Sequence, residues 1–248
     1  MRTPAHVLAI VAAALPLLSL APLAHADPDD YVAVPAVEYG EREIELRLGT
    51  ASPTDDPHRQ SAASLAFGYG VTPWWATEIY GKWHRSGATS FDAVEWENKF
   101  QLTEPGQYFA DFGLLVETEF PHDHAEGYEL RIGPLMQKDF GPVQANFNVF
   151  LERHYHASEP EVTELEYQWQ LRYRWQPALD FGAQGFGEVG QWNDWAPARA
   201  QEHMAGPAIF GKFPLGGRQV LKYDAAVLFR LSDAAPARTF RAQVEYEF

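Results

Sequence analysis

The last ten residues of the chain alternate strictly between apolar and polar side chains. Phe240, Ala242, Val244, Tyr246 and Phe248 occupy every second position, and the residues between them are Thr, Arg, Gln and Glu. A period of two is typical of a β-strand with one apolar and one polar face. A strand that carries aromatic residues near its end and charges on its opposite face suits a wall between lipid and water. These ten residues therefore predict a membrane-spanning strand.

The same alternation recurs along the chain in segments that are separated by turn residues. The predicted strands cover 37–49, 61–70, 75–85, 91–102, 108–120, 127–138, 143–152, 165–175, 181–190, 205–213, 219–231 and 239–248. Tilted membrane strands need about 9–11 residues, which is the spacing seen here. We predict an all-β fold, an antiparallel transmembrane β-barrel of about 12 strands, with a range of about 10–14 because strand boundaries are hard to place from sequence.

The C-terminal strand carries a more specific resemblance. Val244, Tyr246 and the terminal Phe248 lie two residues apart on the apolar face, and they resemble the C-terminal assembly signal of Gram-negative bacterial outer-membrane β-barrel proteins. The resemblance implies a location in the bacterial outer membrane, in contact with lipid and lipopolysaccharide. It also implies that the barrel assembly machinery binds the last strand. It points to no named subfamily, so it determines the fold better than the function.

The connections between the predicted strands alternate in length. Those after strands two, four, six, eight and ten are short Pro/Gly turns such as Val71-Thr72-Pro73, whereas most of the others are longer and polar. Outer-membrane barrels have short periplasmic turns and long extracellular loops, and an even number of strands. A soluble β-sandwich is the alternative, but it requires neither aromatic strand ends nor a terminal Phe.

The N-terminus has the three parts of a secretion signal. A basic residue, Arg2, precedes an apolar run from Val7 to Leu23, and Ala24-His25-Ala26 is a small-x-small cleavage sequence. We therefore predict a cleaved signal peptide at 1–26, a periplasmic N-terminal segment at 27–36 and the transmembrane barrel at 37–248.

Composition narrows the classes of function. The chain has 34 Asp and Glu against 19 Lys and Arg, a net charge of −15, which excludes nucleic-acid binding because that requires a basic surface. Cysteine is absent, so disulfides, thiolate metal sites and cysteine nucleophiles are excluded. No apolar run of about 20 residues follows the predicted signal, which excludes a helical membrane protein.

The polar face of the predicted strands is densely charged. The first strand, for example, places Glu43, Glu45 and Arg47 on one face. Charges inside a small barrel must meet water or an opposite charge. One interpretation is a narrow, cation-preferring channel or transporter, and the other is a closed lumen of ion pairs with a structural membrane role. Twelve strands lie between filled eight-stranded barrels and open porins, which favours a closed or tightly constricted lumen.

Histidines cluster toward the predicted extracellular side. Beyond the signal they are His58, His84, His122, His124, His154, His156 and His203. Two His-x-His pairs lie on successive loops, and imidazoles with nearby carboxylates suit Cu(II) or Zn(II). We hypothesise a surface metal site formed by His122, His124, His154 and His156, against the alternative that these are ordinary polar loop residues.

A catalytic interpretation rests on three residues. His156-Ala157-Ser158 resembles the His-x-Ser pair of outer-membrane lipid A deacylases and phospholipases, in which a histidine activates a serine. That family has an Asn after the serine, where this chain continues with Glu159-Pro160. We therefore predict a protein without enzymatic activity and keep lipid hydrolysis as the third functional class, beside transport and metal binding.

Overall fold

Twelve antiparallel strands close into a single barrel in the computed structural model, which describes residues 28–52, 60–158 and 161–248. The strands are β1 Arg42–Ser52, β2 Gln60–Thr72, β3 Trp75–Ser86, β4 Ala88–Gln101, β5 Asp111–Pro121, β6 Tyr128–Phe140, β7 Val143–Tyr155, β8 Thr163–Gln176, β9 Leu179–Gln191, β10 Glu202–Gly216, β11 Gln219–Arg230 and β12 Arg238–Glu247. One short 3-10 helix, His124–Glu126, lies between β5 and β6. Within the described residues, none of the helical structure is long and apolar enough to cross a membrane. The predicted fold class and strand count are confirmed.

The observed strands match the predicted ones closely, with two informative differences. β1 begins at Arg42 rather than at residue 37, because the residues before it turn into the barrel. β10 extends beyond the predicted 205–213 although it contains Pro207. The β10–β11 register passes from Ala205↔Phe229 to Ala208↔Ala226 around this proline, which has no N–H to donate to a ladder.

The two faces of the wall differ as the alternation predicts. On β1, Ile44, Leu46 and Leu48 are exposed on the outer surface, whereas Glu45 and Arg47 are buried in the lumen. The other strands extend this apolar outer belt. Water solvates such a continuous apolar surface poorly, so the belt requires lipid around it.

The barrel closes where β1 pairs with β12. Leu46 lies opposite Val244 and Ile44 opposite Tyr246. Beyond the ladder, the Phe248 N–H donates to the Arg42 carbonyl (N···O 2.8 Å) and the Arg42 N–H donates back to the Phe248 carbonyl (3.3 Å). Closure leaves no unpaired sheet edge, which a membrane would not tolerate.

Residues 28–41, which we call the N-terminal segment, run through the inside of the barrel. The segment enters at the end of the short turns, where the Gly40 N–H donates to the Gly70 carbonyl (2.8 Å). Farther in, the Asn148 side-chain amide donates to the Ala33 carbonyl (2.9 Å). At its far end the Ser64 hydroxyl donates to the Asp29 carboxylate. This corrects the expected periplasmic segment at 27–36, because its described residues, 28–36, lie in the lumen.

Apolar patches on the inner wall explain why the segment is there. Ala33 packs against the buried side chains of Leu115, Leu135 and Phe150. Its neighbour Val32 joins a second cluster on the β9–β12 side of the wall: Phe186, Met204, Ala208, Phe210, Ala226, Leu228 and Ala235. The segment thus removes from water apolar side chains that point inward, each worth about 1.5–3 kcal/mol for a large aliphatic or aromatic residue.

Glycine makes room where the segment approaches the wall. A Cβ on Gly113 would lie 2.9 Å from the Cβ of Pro35, and a Cβ on Gly49 would collide with the Pro28 carbonyl. The lumen is therefore shaped to the backbone that fills it.

Candidate functional site in the lumen

The N-terminal segment leaves two cavities inside the barrel. The inner cavity, at the end of the short turns, has a volume of about 600 Å³. The outer cavity, toward the long loops, has a volume of about 220 Å³. Tyr31 and Arg47 line both, so these two residues mark the narrow passage between the cavities.

A compact hydrogen-bonded network holds this passage, which we call the constriction. The Arg47 guanidinium lies 3.4 Å from the ring centroid of Tyr31 and 4.3 Å from that of Tyr80. Arg47 also donates to the Glu45 carboxylate and to the Tyr80 hydroxyl. The Tyr31 hydroxyl donates to Glu97 on β4, three strands from Arg47 in the ring. Tyr31 therefore bridges from the N-terminal segment to the wall at the level where the two cavities meet.

The outer cavity is strongly acidic. Ten carboxylates line it: Asp29, Asp30, Asp92, Glu95, Glu117, Glu119, Glu129, Glu152, Glu166 and Glu188. Only three Arg or Lys side chains, Arg47, Lys82 and Arg131, line the same cavity. The acidic surroundings extend to the β5–β6 loop above the outer cavity. Partial burial, together with the nearby carboxylates of Asp92 and Asp123, raises the pKa of Glu126 there. The mouth of the lumen therefore carries a large excess of acidic over basic side chains.

The inner cavity is more nearly balanced. Its lining has eight carboxylates, Glu38, Glu41, Glu43, Glu45, Glu78, Asp180, Asp224 and Glu245, against six bases, Arg47, Lys99, Arg172, Arg174, Lys212 and Lys222. Several of these form pairs, such as Arg172 with Asp180 (2.8 Å) and Lys222 with Glu245 (3.1 Å). The negative excess thus grows from the inner to the outer end of the lumen.

The four histidines that the sequence suggested as metal ligands have different surroundings. His122 packs edge-on against Phe91 (ring centroids 6.0 Å apart) and His156 tilts against Tyr128 (5.7 Å). His124 lies exposed in the 3-10 helix. His154 lines the outer cavity. Within the described ranges, one group of three side chains close enough to share an ion contains His154. None of these groups contains His122, His124 or His156.

The remaining histidines have separate surroundings. His203 has both ring nitrogens within 2.9 Å of polar partners, Nδ1 of the Tyr167 hydroxyl and Nε2 of the Gln201 amide oxygen. His58 lies outside the described residues, as do Asp55 and Asp56. Neither observation adds a ligand to the predicted surface site.

Backbone hydrogen bonds hold His156 and Ser158 in the loop after β7. The backbone N–H of Ser158 donates to the Ala125 carbonyl (2.8 Å), and that of His156 donates to the Glu161 carboxylate (2.6 Å). Among the described contacts, none joins the His156 ring to the Ser158 hydroxyl. A nucleophile and its base are expected within hydrogen-bond reach of each other.

The sequence did not predict that the N-terminal segment lies in the lumen, or that Tyr31 forms the constriction. A signal for them existed in the strands: Leu115 and Phe150 are apolar residues at inward positions, between outward apolar neighbours. Such continuous apolar runs indicate a strand that is covered on both faces, and here the inner cover is Ala33, with Tyr31 packed beside it.

Comparison with known proteins identifies the fold of the chain but no family. No protein-family model matches the chain, and no curated protein sequence matches it. Solved structures do: a NanC porin has a TM-score of 0.54 at 11% identity over 83% of this chain and 98% of its own. The COG4313 outer membrane channel from Pseudomonas putida F1 has a TM-score of 0.55 at 11% identity, over 90% and 99%. The translocator domain of the autotransporter NalP from Neisseria meningitidis has 0.54 at 9%, over 85% and 88%.

At these identities the likeness concerns the fold. All three are bacterial outer-membrane barrel proteins, and the chain shares their architecture across most of its length. Together with its closed barrel and apolar belt, this gives the chain the fold of an outer-membrane β-barrel protein.

Proposed function

We propose that this protein is a narrow outer-membrane channel that prefers cations and is constricted by its own N-terminal segment. The observation that carries the proposal is the outer cavity, with its ten carboxylates and three bases. The porin and channel whose folds resemble this one support a transport-related role.

Charge lining a narrow lumen selects ions by sign. A cavity with low-dielectric walls focuses the field of its charges, so an excess of carboxylates concentrates cations and repels anions. The more balanced inner cavity then gives a weaker barrier to onward movement. Conduction requires sites that bind an entering ion without holding it too tightly.

The constriction limits the size of what passes. Tyr31 stands between the two cavities, and Arg47 stacks against it. The lumen is therefore not open as a porin lumen is. Small ions pass the constriction as it stands, whereas larger solutes pass only if the N-terminal segment moves.

A measurement of ion selectivity tests whether the channel prefers cations. We expect the refolded protein in a planar bilayer under a KCl gradient to give a reversal potential toward the potassium equilibrium value. Glu188 lines the outer cavity, so Glu188→Gln should reduce this selectivity. Glu104→Gln, at an exposed position in the 102–110 turn, is the matched control and should leave it unchanged. An anion-selective or unselective wild-type channel would refute the proposal.

A variant that displaces the N-terminal segment tests whether the segment constricts the channel. Ala33 is 2% exposed and packed on the inner wall, so Ala33→Asp should dislodge the segment, because a charge there is buried without a partner. We expect a several-fold larger conductance. Tyr39→Asp introduces the same charge into the same segment at a position that is 63% exposed and should change conductance little.

The outcomes separate a channel from a structural barrel. Both variants must first show the heat-modifiable gel migration of a folded barrel. If the wild type and Ala33→Asp are folded and both remain non-conducting, the protein is a closed barrel and the channel proposal fails.

A further inference from the structure

His154 lies at the wall of the outer cavity, although its place in the sequence suggested an extracellular loop. It continues the inward row of β7, after Asn148 and Glu152, and lies opposite Glu129 on β6. Its Nε2 atom is 3.5 Å from Glu129 Oε2 and 3.9 Å from Glu152 Oε1. These distances are long for hydrogen bonds.

The three side chains have the spacing of ligands around one ion. Their nearest nitrogen and oxygen atoms all lie within 4.8 Å of one another. Ligands at about 2.0–2.2 Å from a tetrahedral zinc ion lie about 3.4 Å apart, close to the observed values. Small side-chain rotations would bring all three onto one centre.

We propose that Glu129, Glu152 and His154 form a binding site for a divalent transition-metal ion in the outer cavity. One imidazole and two carboxylates suit borderline ions such as Zn(II), whereas Mg(II) and Ca(II) prefer oxygen ligands alone. Three protein ligands leave a fourth position open to the cavity, as in sites that exchange a ligand.

The charge of the cavity supports a bound cation independently of this geometry. Arg131 pairs with Glu117 (2.9 Å) and with Glu166 (3.0 Å), and Lys82 pairs with Glu119 (2.6 Å). The lining nevertheless has many more carboxylates than bases. Buried charge of one sign is costly unless protons or cations compensate it. A divalent ion beside Glu129 and Glu152 supplies two positive charges at that point.

The site differs from the surface site that the sequence suggested. That hypothesis used His122, His124 and His156 as well as His154, whereas this one uses His154 with two carboxylates inside the lumen. It goes beyond the channel proposal, because binding does not depend on conduction.

Calorimetric titration of the refolded protein with Zn(II) at neutral pH tests the site, with Mg(II) as the reference ion. We expect one saturable Zn(II) equivalent for the wild type. His154→Ala and the double variant Glu129→Gln/Glu152→Gln should each weaken binding by at least about tenfold. The triple variant His122→Ala/His124→Ala/His156→Ala is the control and should bind as the wild type does.

A spectroscopic readout distinguishes this ligand set from a histidine cluster. Cu(II) bound to the wild type should show the paramagnetic resonance pattern of a single coordinating nitrogen, and the triple variant should give the same spectrum. All variants are first checked for heat-modifiable migration, so that loss of binding is not loss of fold.

Three results would overturn the site: no saturable Zn(II) binding, binding that survives in His154→Ala, or binding lost in the triple variant. The last result would instead support the surface histidines. Because these measurements use protein in detergent and no ion current, they can fail while the channel proposal stands, and the reverse also holds.

Discussion

Tyr31 connects three parts of the molecule at one point. It belongs to the N-terminal segment, its ring stacks under Arg47 of β1, and its hydroxyl donates to Glu97 of β4. An aromatic ring over a guanidinium in a partly dehydrated site contributes about 2 kcal/mol or more. One side chain thus both fastens the segment and narrows the passage.

Replacing Tyr31 tests both roles. We expect Tyr31→Ala to raise single-channel conductance, because it widens the constriction and loosens the segment. Tyr39→Ala removes the same ring from the same segment at a position that is 63% exposed, and its conductance should match the wild type. Planar-bilayer recordings measure both, and equal conductance in Tyr31→Ala and the wild type would count against the assigned constriction.

Neighbouring residues of β8 should respond differently to changes of charge. Leu171 is 47% exposed on the outer belt, and Leu171→Arg should cost roughly 2–4 kcal/mol of folding free energy near the bilayer midplane. The sequence alone suggests that Arg172→Leu, facing the lumen, costs less unless it breaks an ion pair. The structure provides that pair, because Arg172 contacts Asp180 at 2.8 Å.

Removing Arg172 should therefore leave Asp180 charged and unpaired. A broken buried pair costs about 3–5 kcal/mol, and less here because 25% of the Arg172 side chain is exposed. The double variant Arg172→Leu/Asp180→Asn should recover much of the loss, whereas no second change in the lumen should rescue Leu171→Arg. Denaturant titrations of refolding into lipid vesicles measure these differences, and rescue of Leu171→Arg by Asp180→Asn would contradict the assignment of faces.

At the scale of elements, strands were predictable and the N-terminal segment was not. A strand such as β8 contains its own signal, since Leu171 and Arg172 report opposite faces by alternation alone. Residues 28–36 contain no such period. Their position depends on Leu115, Leu135 and Phe150, which are distant in sequence and whose inward direction is visible only once the register is known.

The surroundings of the candidate metal site were also not predictable from sequence spacing. Sequence spacing grouped His154 with His156 because they are two residues apart. The backbone of His156 adopts a positive φ of 60°, which ends the strand geometry, and its ring lies beside Tyr128 rather than in the lumen. One partner of His154, Glu152, lies two residues earlier on the same face of β7, but the other, Glu129, comes from the neighbouring strand β6.

The β1–β12 seam gives Phe248 a specific place. Its backbone bonds to Arg42 extend the ladder, and its ring stacks with Tyr246 (ring centroids 5.4 Å apart). We expect deletion of Phe248 to lower the amount of protein in the outer membrane, while the purified variant regains its β content on refolding in detergent. Phe140→Ala, at a 62% exposed Phe that ends β6, is the control. Normal membrane levels after the deletion would show that assembly does not require Phe248.

At the scale of the whole molecule, the barrel combines an apolar exterior with an acidic, filled interior. Every strand has two paired neighbours in the closed ring, so no edge melts independently. Unfolding is therefore expected to be cooperative and to require a detergent or lipid environment for reversal.

This architecture predicts heat-modifiable electrophoresis. Unheated protein in SDS should migrate differently from boiled protein, and circular dichroism in detergent should be rich in β-structure, because a closed ladder resists the detergent until it is heated. A chain that stays monomeric and soluble without detergent would refute the membrane assignment.

The N-terminal segment also constrains the order of assembly. Its hydrogen bonds join residues 35 positions apart, between Asp29 and Ser64, and 115 positions apart, between Ala33 and Asn148. Contacts of such separation form late, after the loops between them have been closed. We therefore expect the segment, from residue 28 onward, to enter the closed ring through the inner cavity. A folded domain fused just before that residue is far larger than the inner cavity of about 600 Å³, so it would hold the segment outside and leave a complete barrel without its filling.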